Sequence, residues 1–243
     1  MARRRFFVDE VRNGHAQIVG DDAHHLTRVL RVEPGQRFEI CDNRDVYLAE
    51  VETARKNVVD FSIVERLPTV APGARIELFA SLIRFERFED LIEKATELGV
   101  ARIVPVEAER SEKGLVRAAE KRLPRWRRVA REASEQSRRT RLPEIDGTLE
   151  LSQAIRHESA NRFLLDEGEA TAILGALPVN RKADDTIALL IGPEGGWTDR
   201  ERSAIVAAGW RAVSLGSTIL RAETAAVAAL AVINAAWQTD WPR

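Results

Sequence analysis

The sequence predicts an α/β protein in which a small β-barrel-like domain precedes a mostly parallel sheet alternating with helices. Three observations predict it. Residues 187–191 (Ile-Ala-Leu-Leu-Ile) form a continuous apolar run, as a parallel strand buried on both faces requires. That run and a second, Ala212–Leu215, each lead into a glycine turn and then a helix. The region before residue 67 has a different rhythm, of short strands between turns.

In that first region the expected strands are Phe6–Val8, Gln17–Val19, Arg37–Cys41, Tyr47–Val51 and Val58–Val64, with one short helix over Ala23–Val29. The stretch Leu67–Ala74 holds two prolines and a glycine in eight residues and marks the domain boundary, giving domains 1–72 and 73–243. Beyond it come strand Ile76–Leu82, helix Phe85–Leu98, strand Arg102–Val106, a basic helix, strand Phe163–Leu165, the two glycine-terminated strands and a last helix, Ala222–Trp237. Phe85, Phe88, Leu91, Ile92, Ala95 and Leu98 recur at helical spacing as a core stripe, and Gly99 suits the end of that helix. The last helix is apolar around its whole circumference, which calls for burial by the sheet on one side and a second subunit on the other.

Ligands of open α/β sheets bind past the carboxyl ends of the strands, so the two glycine turns stand where a ligand would. In the first, Gly192-Pro-Glu-Gly-Gly196, Thr198 and Glu201 make a capping box, and the glycines let the backbone bend and approach a ligand closely. A ligand-free strand-to-helix turn fits the same residues. The spacing matches neither a dinucleotide fingerprint nor a phosphate-binding loop, so ATP and NAD are only weakly supported.

The composition, 44% hydrophobic and 31% charged, is that of a globular protein. A lone Cys41 and four scattered histidines offer neither a disulfide nor a metal site, which points to a reducing, cytoplasmic setting. The opening arginines resemble an export signal, but Val8–Asn13 is polar where an apolar stretch should follow. The longest apolar segment, Ala225–Trp237, is interrupted by Asn234 and too short to span a bilayer, so no membrane partner is expected.

Net charge is −1, yet between Arg110 and Arg141 twelve Lys/Arg face four Glu. Trp126, Ala130, Ala133 and Ser137 form the small or buried stripe of that helix, leaving Arg125, Arg127, Arg128, Arg131, Arg138 and Arg139 largely on its other faces. Ten of the twelve cations are arginine, whose fork matches phosphate, so nucleic acid is the expected partner, a solvated basic helix being the alternative. Arg3-Arg4-Arg5 reads as a tail or a phosphate contact. His24 and His25, adjacent and without a nucleophile motif, suit capping, a buried hydrogen bond or an RNA contact better than catalysis.

Two stretches, Leu190-Ile-Gly-Pro-Glu-Gly-Gly-Trp-Thr-Asp-Arg-Glu201 and Leu215-Gly-x-x-Ile-Leu-Arg-x-Glu-Thr-Ala225, resemble the RsmE family of SPOUT-superfamily methyltransferases. His25-Leu-x-x-Val-Leu-Arg31, Glu93-Lys-Ala-Thr-Glu-Leu-Gly-Val100 and Glu135-Gln-Ser-x-Arg139 with Pro143 agree, so the resemblance spans nearly the whole chain. It implies a PUA-like β-barrel RNA-binding domain joined to a trefoil-knotted SPOUT domain, a homodimer, and S-adenosylmethionine as cofactor. The implied reaction methylates N3 of a uridine in small-subunit ribosomal RNA, within the assembled 30S subunit. The alternatives are a SPOUT enzyme acting on another RNA site or a ribose 2′-hydroxyl, and a non-catalytic RNA-binding protein.

Residue by residue, the resemblance implies cofactor contacts from Leu165, Gly192, Glu194, Gly195, Gly196, Leu215, Gly216, Ile219, Leu220 and Thr224. Loss of the N3 proton needs a base and a positive potential for the resulting charge. Arg221 and the start of the last helix supply the potential, and Glu223 is the base, with Glu194 its competitor; either carboxylate equally suits a structural role. RNA phosphates fall to Arg84, Arg87, Arg128, Arg131 and Arg139. The chain departs from the family at Arg84, where Lys is frequent, and at Thr218, where Arg is frequent and a phosphate contact is lost.

Overall fold

The computed structural model describes residues 4–69, 73–112, 114–168 and 170–237. The chain divides into two compact units, Met1–Ala71 with Ser134–Leu142, and Pro72–Ala133 with Pro143–Arg243.

The first unit contains β1 (Arg5–Phe7), β2 (Val11–Arg12), β3 (His15–Val19), α1 (Gly20–Arg28), β4 (Arg37–Cys41), β5 (Val46–Arg55) and β6 (Val58–Leu67). These strands form one six-stranded sheet in the order β1-β4-β5-β6-β3-β2, antiparallel except for the β1–β4 pair. Phe6, Ile18, Leu26, Ile40, Val51, Val59 and Phe61 make its core. Helix α1 begins three residues before the expected start, with Asp21 and Asp22 placed in its first turn, where acidic groups favour the helix dipole. The β5–β6 hairpin is longer than its apolar pattern because two register shifts, at Leu48/Ala49 and Val51/Thr53, break the strict alternation.

The segment Ser134–Leu142 is stitched to this sheet. Arg5 donates to Glu39 through Nε (3.1 Å) and Nη2 (2.8 Å), and its Nη1 donates to the carbonyls of Arg138 and Arg139. Arg138, held at φ +58°, also pairs with Glu39. The Phe7 amide donates to Glu135 Oε1 (3.2 Å), and Cys41 Sγ donates to the Thr140 carbonyl (3.2 Å). Arg5 is therefore a buried structural cation, which corrects the expectation of a tail or phosphate contact at that position; Arg3 lies outside the described residues.

The second unit contains β7 (Arg75–Ser81), α2 (Phe85–Glu97), β8 (Arg102–Glu107), α3 (Leu115–Gln136, whose last residues count with the first unit), β9 (Glu144–Ile145) and β10 (Leu149–Glu150). It continues through α4 (Leu151–Ala154), β11 (Asn161–Leu165), β12 (Thr171–Ala172), α5 (Ile173–Ala176), β13 (Thr186–Ile191), α6 (Asp199–Ala207), β14 (Arg211–Ser214) and α7 (Ala222–Trp237). Every pairing in its sheet is parallel, in the order β10-β8-β7-β13-β11-β14-β12, with β9 also on β8. Pro105, which has no N–H to donate, lies in β8 where the partner strand is interrupted between β9 and β10.

Alternate residues of the central strands enter opposite cores. Ile187, Leu189 and Ile191 pack on one face with α2 and α7, while Ala188 and Leu190 pack on the other with Phe79, Trp197 and Trp210. This two-sided burial is why β13 carries no polar alternation. Gly99, at φ +86°, ends α2. Among the described residues no helix is long and apolar enough to cross a membrane.

Candidate functional site

Three strands of the second unit end side by side, and their turns enclose one cavity of about 280 Å³. Leu165–Glu167 come from the end of β11, Ile191–Glu194 with Gly196 and Trp197 from the end of β13, and Ser214–Gly216 with Thr218–Ala222 from the end of β14 and the start of α7. The aliphatic side chains of Leu165, Ile191, Leu215, Ile219 and Leu220 are among its apolar lining, with Trp197 and Pro193. Ile219 is 80% exposed, so the cavity has an apolar lip. This is the crevice at the carboxyl ends of parallel strands where α/β proteins place ligands, and its size approaches that of small-molecule pockets, about 300 Å³ and above.

The glycines of the turns have different reasons. A Cβ on Gly192 would stand 3.0 Å from Cε2 and Nε1 of Trp197, so the indole fills the space beside it. Gly196 sits at φ +67°, with Glu167 Oε1 2.9 Å from where its Cβ would be. Gly216, at φ +132°, is a backbone position that only glycine adopts freely, and a Cβ there would meet nothing within 4 Å. At Gly192, which also lines the cavity, the space a Cβ would take is held by the indole of Trp197.

Helix α6 leaves the β13 turn through the expected capping box. Thr198 Oγ1 accepts from the Glu201 amide (3.2 Å) and Glu201 Oε2 accepts from the Thr198 amide (2.9 Å). The second carboxylate oxygen of Glu201 accepts from the Glu109 amide at 2.7 Å, which explains its burial.

Charge in the cavity is arranged in pairs with two exceptions. Arg202 donates Nε (2.5 Å) and Nη2 (3.1 Å) to the two oxygens of Asp166, whose side chain is 4% exposed. Burial alone would raise the Asp166 carboxyl, but the Arg202 and Gly168 hydrogen bonds outweigh it and hold it below the usual carboxylate range. Arg87 of α2 pairs with Glu194 of the glycine turn. Glu167 and Arg221 also line the cavity, and neither has an ion-pair partner among the described residues. Glu223 stands in the first turn of α7, with Oε2 buried and without a hydrogen-bond partner.

Of the residues expected to hold a cofactor, Leu165, Gly192, Glu194, Gly196, Leu215, Gly216, Ile219 and Leu220 line the cavity, together with Arg221 and Arg87. Gly195 and Thr224 do not: Gly195 faces the Arg110 side chain, which donates to its carbonyl at 2.8 Å, and Thr224 is exposed on α7. Glu223 is likewise outside the lining. Asp166, Glu167, Trp197 and Arg202 were not anticipated. The signal for Asp166 and Glu167 was their place directly after the apolar strand; Trp197 and Arg202 gave none beyond the capping box between them.

The basic residues are less free than their number implies. Arg122 and Arg125 pair with Glu89 of α2, Arg127 donates to the Ile145 carbonyl (3.2 Å), and Arg128 pairs with Glu132 (2.8 Å). These are mostly exposed contacts worth about 0–1 kcal/mol each, weak enough for a phosphate to displace. Arg139 is half-buried in the first unit, donates Nε to the Arg141 carbonyl (3.1 Å), and is pushed by desolvation down to about 10. Arg84 is exposed just before α2, and Arg131 is half-exposed on α3. His24 and His25 lie on α1 of the first unit.

Residues 71–234 match the sequence model of an RNA methyltransferase domain, and residues 18–64 that of an RNA methyltransferase PUA domain. A ribosomal RNA small subunit methyltransferase E from Synechocystis is 35% identical, over 87% of this chain and 70% of its own. The protein of that description from Aquifex aeolicus is 32% identical over 93% of this chain and 97% of its own. Among solved structures, ribosomal RNA small subunit methyltransferase E from Neisseria gonorrhoeae bound to S-adenosyl methionine has a TM-score of 0.87 at 30% identity, covering 97% of this chain and 98% of that one. A Legionella pneumophila methyltransferase in complex with the bound cofactor SAM gives 0.88 at 29% identity, with the same coverage.

Proposed function

Because the chain belongs to the ribosomal RNA small subunit methyltransferase E family, we propose that it transfers a methyl group from S-adenosylmethionine to N3 of a uridine in small-subunit ribosomal RNA. The observation that carries this reading is the cavity at the ends of β11, β13 and β14, with Arg221 at its edge and the start of α7 beside it. Its residues fit the cofactor: an apolar wall, an open cradle at Gly216, and the carboxylate of Glu167, which has no ion-pair partner among the described residues, for a cationic ligand. When bound, S-adenosylmethionine supplies an electrophilic methyl group on a sulfonium.

The three turns would hold the cofactor beside the acceptor, and alignment of donor and acceptor near contact distance would supply much of the rate gain. Uridine N3 becomes a good nucleophile only after losing its proton, and we assign the base to Glu223 in the first turn of α7, whose buried Oε2 has no hydrogen-bond partner and, lying outside the cavity lining, must turn toward the acceptor to take the proton. Arg221, exposed and without an ion pair among the described residues, stabilises the charge that then spreads over the uracil carbonyls. The N-terminal end of α7 adds to that potential. Glu194 is the competing base only once Arg87 releases it.

We assign shape recognition of folded RNA to domain 1–72, and methyl transfer together with the phosphate contacts of Arg84, Arg87, Arg128, Arg131 and Arg139 to domain 73–243. The latter carries the trefoil knot of SPOUT enzymes; its support here is that β13 inserts between the earlier strands β7 and β11. The working form is a cytoplasmic homodimer acting on the 30S subunit. The second face of α7, with Ala231 and Ala235 exposed and Val227 and Ala228 half-buried, favours the dimer. Transfer of labelled methyl from S-adenosylmethionine into isolated small subunits tests the reading. Label in the RNA base supports it; label on a ribose oxygen moves the acceptor; S-adenosylmethionine binding without transfer leaves a non-catalytic RNA-binding protein.

A further inference from the structure

We infer that Trp197 is the positioning residue of the cavity, a strut joining the β11 and β13 turns, and that residue 192 is glycine to admit its indole. The inference rests on the proposed cofactor role of this cavity. Trp197 is 4% exposed and belongs to the core cluster that includes Leu164, Leu190 and Trp210. Its Nε1 donates to the Leu165 carbonyl at 3.3 Å, across from its own turn to the end of the neighbouring strand. The same N–H edge of the pyrrole ring lies so close to Gly192 that a Cβ there would stand 3.0 Å from both Nε1 and Cε2. Gly192 has no left-handed backbone angle, so space and not conformation excludes a side chain there. One side chain thus fixes the separation of two of the three turns that line the cavity.

Residue 197 also directly precedes Thr198, the N-cap of α6, so the indole ties the helix start to the same frame. Arg202 of α6 reaches back to Asp166, one residue beyond Leu165. Two independent links therefore run from the β13–α6 segment to the end of β11.

The test is a double-mutant cycle read as S-adenosylmethionine dissociation constants on the full chain. G192A should raise the constant about tenfold or more, because an added carbon in a packed wall displaces its neighbours. W197L removes the two atoms that a Cβ would meet, so the double variant G192A/W197L should bind no worse than W197L. W197F, which keeps a ring but loses the N–H, should weaken binding roughly three- to tenfold while leaving turnover at saturating cofactor within about twofold. An additive cycle would mean that Gly192 faces the cofactor itself, and the strut would be wrong. A second readout does not depend on W197L folding. The Trp197 indole N–H, assigned by its loss in W197F, should be protected from solvent exchange in the wild type and lose protection in G192A. Unchanged protection would overturn the inference. Failure of the wild type to bind S-adenosylmethionine would instead remove the functional reading on which it rests.

Discussion

Replacing Asp166 with Asn removes one negative charge from the wall of the cavity and changes almost nothing in shape. The native carboxylate receives two hydrogen bonds from Arg202, at 2.5 and 3.1 Å, and one from the Gly168 amide at 3.0 Å. Charge-assisted hydrogen bonds contribute about 1.5–3 kcal/mol each, and breaking a fully buried ion pair costs about 3–5 kcal/mol. Arg202 is 31% exposed and keeps Asp199 at 3.0 Å, so water and that carboxylate recover part of the loss. The expected destabilisation at pH 7 is about 2 kcal/mol, or a Tm roughly 4–8 °C lower for a protein of this size. The sign with pH follows from the depressed carboxyl. Its contribution is fully present above the ordinary value of 3.8 and is lost as pH falls below that through the native value. Urea unfolding of wild type and D166N should therefore differ by a constant amount from pH 7 to about pH 4.5, with the gap closing below pH 4. A gap under about 0.5 kcal/mol at pH 7, or one that widens in acid, would refute this reasoning.

Arg221→Ala should lower turnover by about a hundredfold, as expected for losing one stabiliser of a developing oxyanion, while the S-adenosylmethionine dissociation constant moves less than about threefold; equal losses in both would make Arg221 a cofactor ligand. Glu39→Ala strands Arg5, whose side chain is 10% exposed, and should cost about 3 kcal/mol in urea unfolding; a loss below about 1 kcal/mol would show that the Arg138 and Arg139 carbonyls suffice to hold it. RNA affinity should fall with salt at a log–log slope of about −4, from five phosphate contacts at roughly 0.7–0.9 each, and a flat dependence would remove the basic residues from the interface.

Those elements whose sequence pattern is set by packing on a sheet were legible residue by residue. Residues 187–191 are apolar without interruption because both faces of β13 are buried, and Phe88, Leu91, Ile92 and Ala95 show helical spacing because α2 covers one side of that sheet. Thr198 and Glu201 announced the start of α6 through a contact made within four residues. The short elements β9, β10, α4, β12 and α5 were not legible, since two to four residues carry no period and are fixed by the strands beside them.

The cavity was legible as a place, from strands ending in glycine turns, but its walls were only partly so. Gly192 was legible as a turn glycine at the cavity, but the sequence does not show that Trp197, five residues on, folds back beside it. The Asp166–Arg202 and Arg87–Glu194 pairs join residues 36 and 107 positions apart, and Arg5 meets the carbonyls of Arg138 and Arg139 across more than 130. No local pattern encodes such separations. The charge excess at 110–141 was plain in the sequence, whereas its partial neutralisation by Glu89 depends on α2 and α3 lying side by side.

The most direct test of the proposed reaction is mass spectrometry of digested ribosomal RNA. Small subunits lacking the modification would be incubated with the purified protein and S-adenosylmethionine. Appearance of 3-methyluridine, formed about a hundredfold more slowly when Arg221 is replaced by Ala, is the predicted result. Intact S-adenosylmethionine binding with no methylated uracil base in the digest would contradict it.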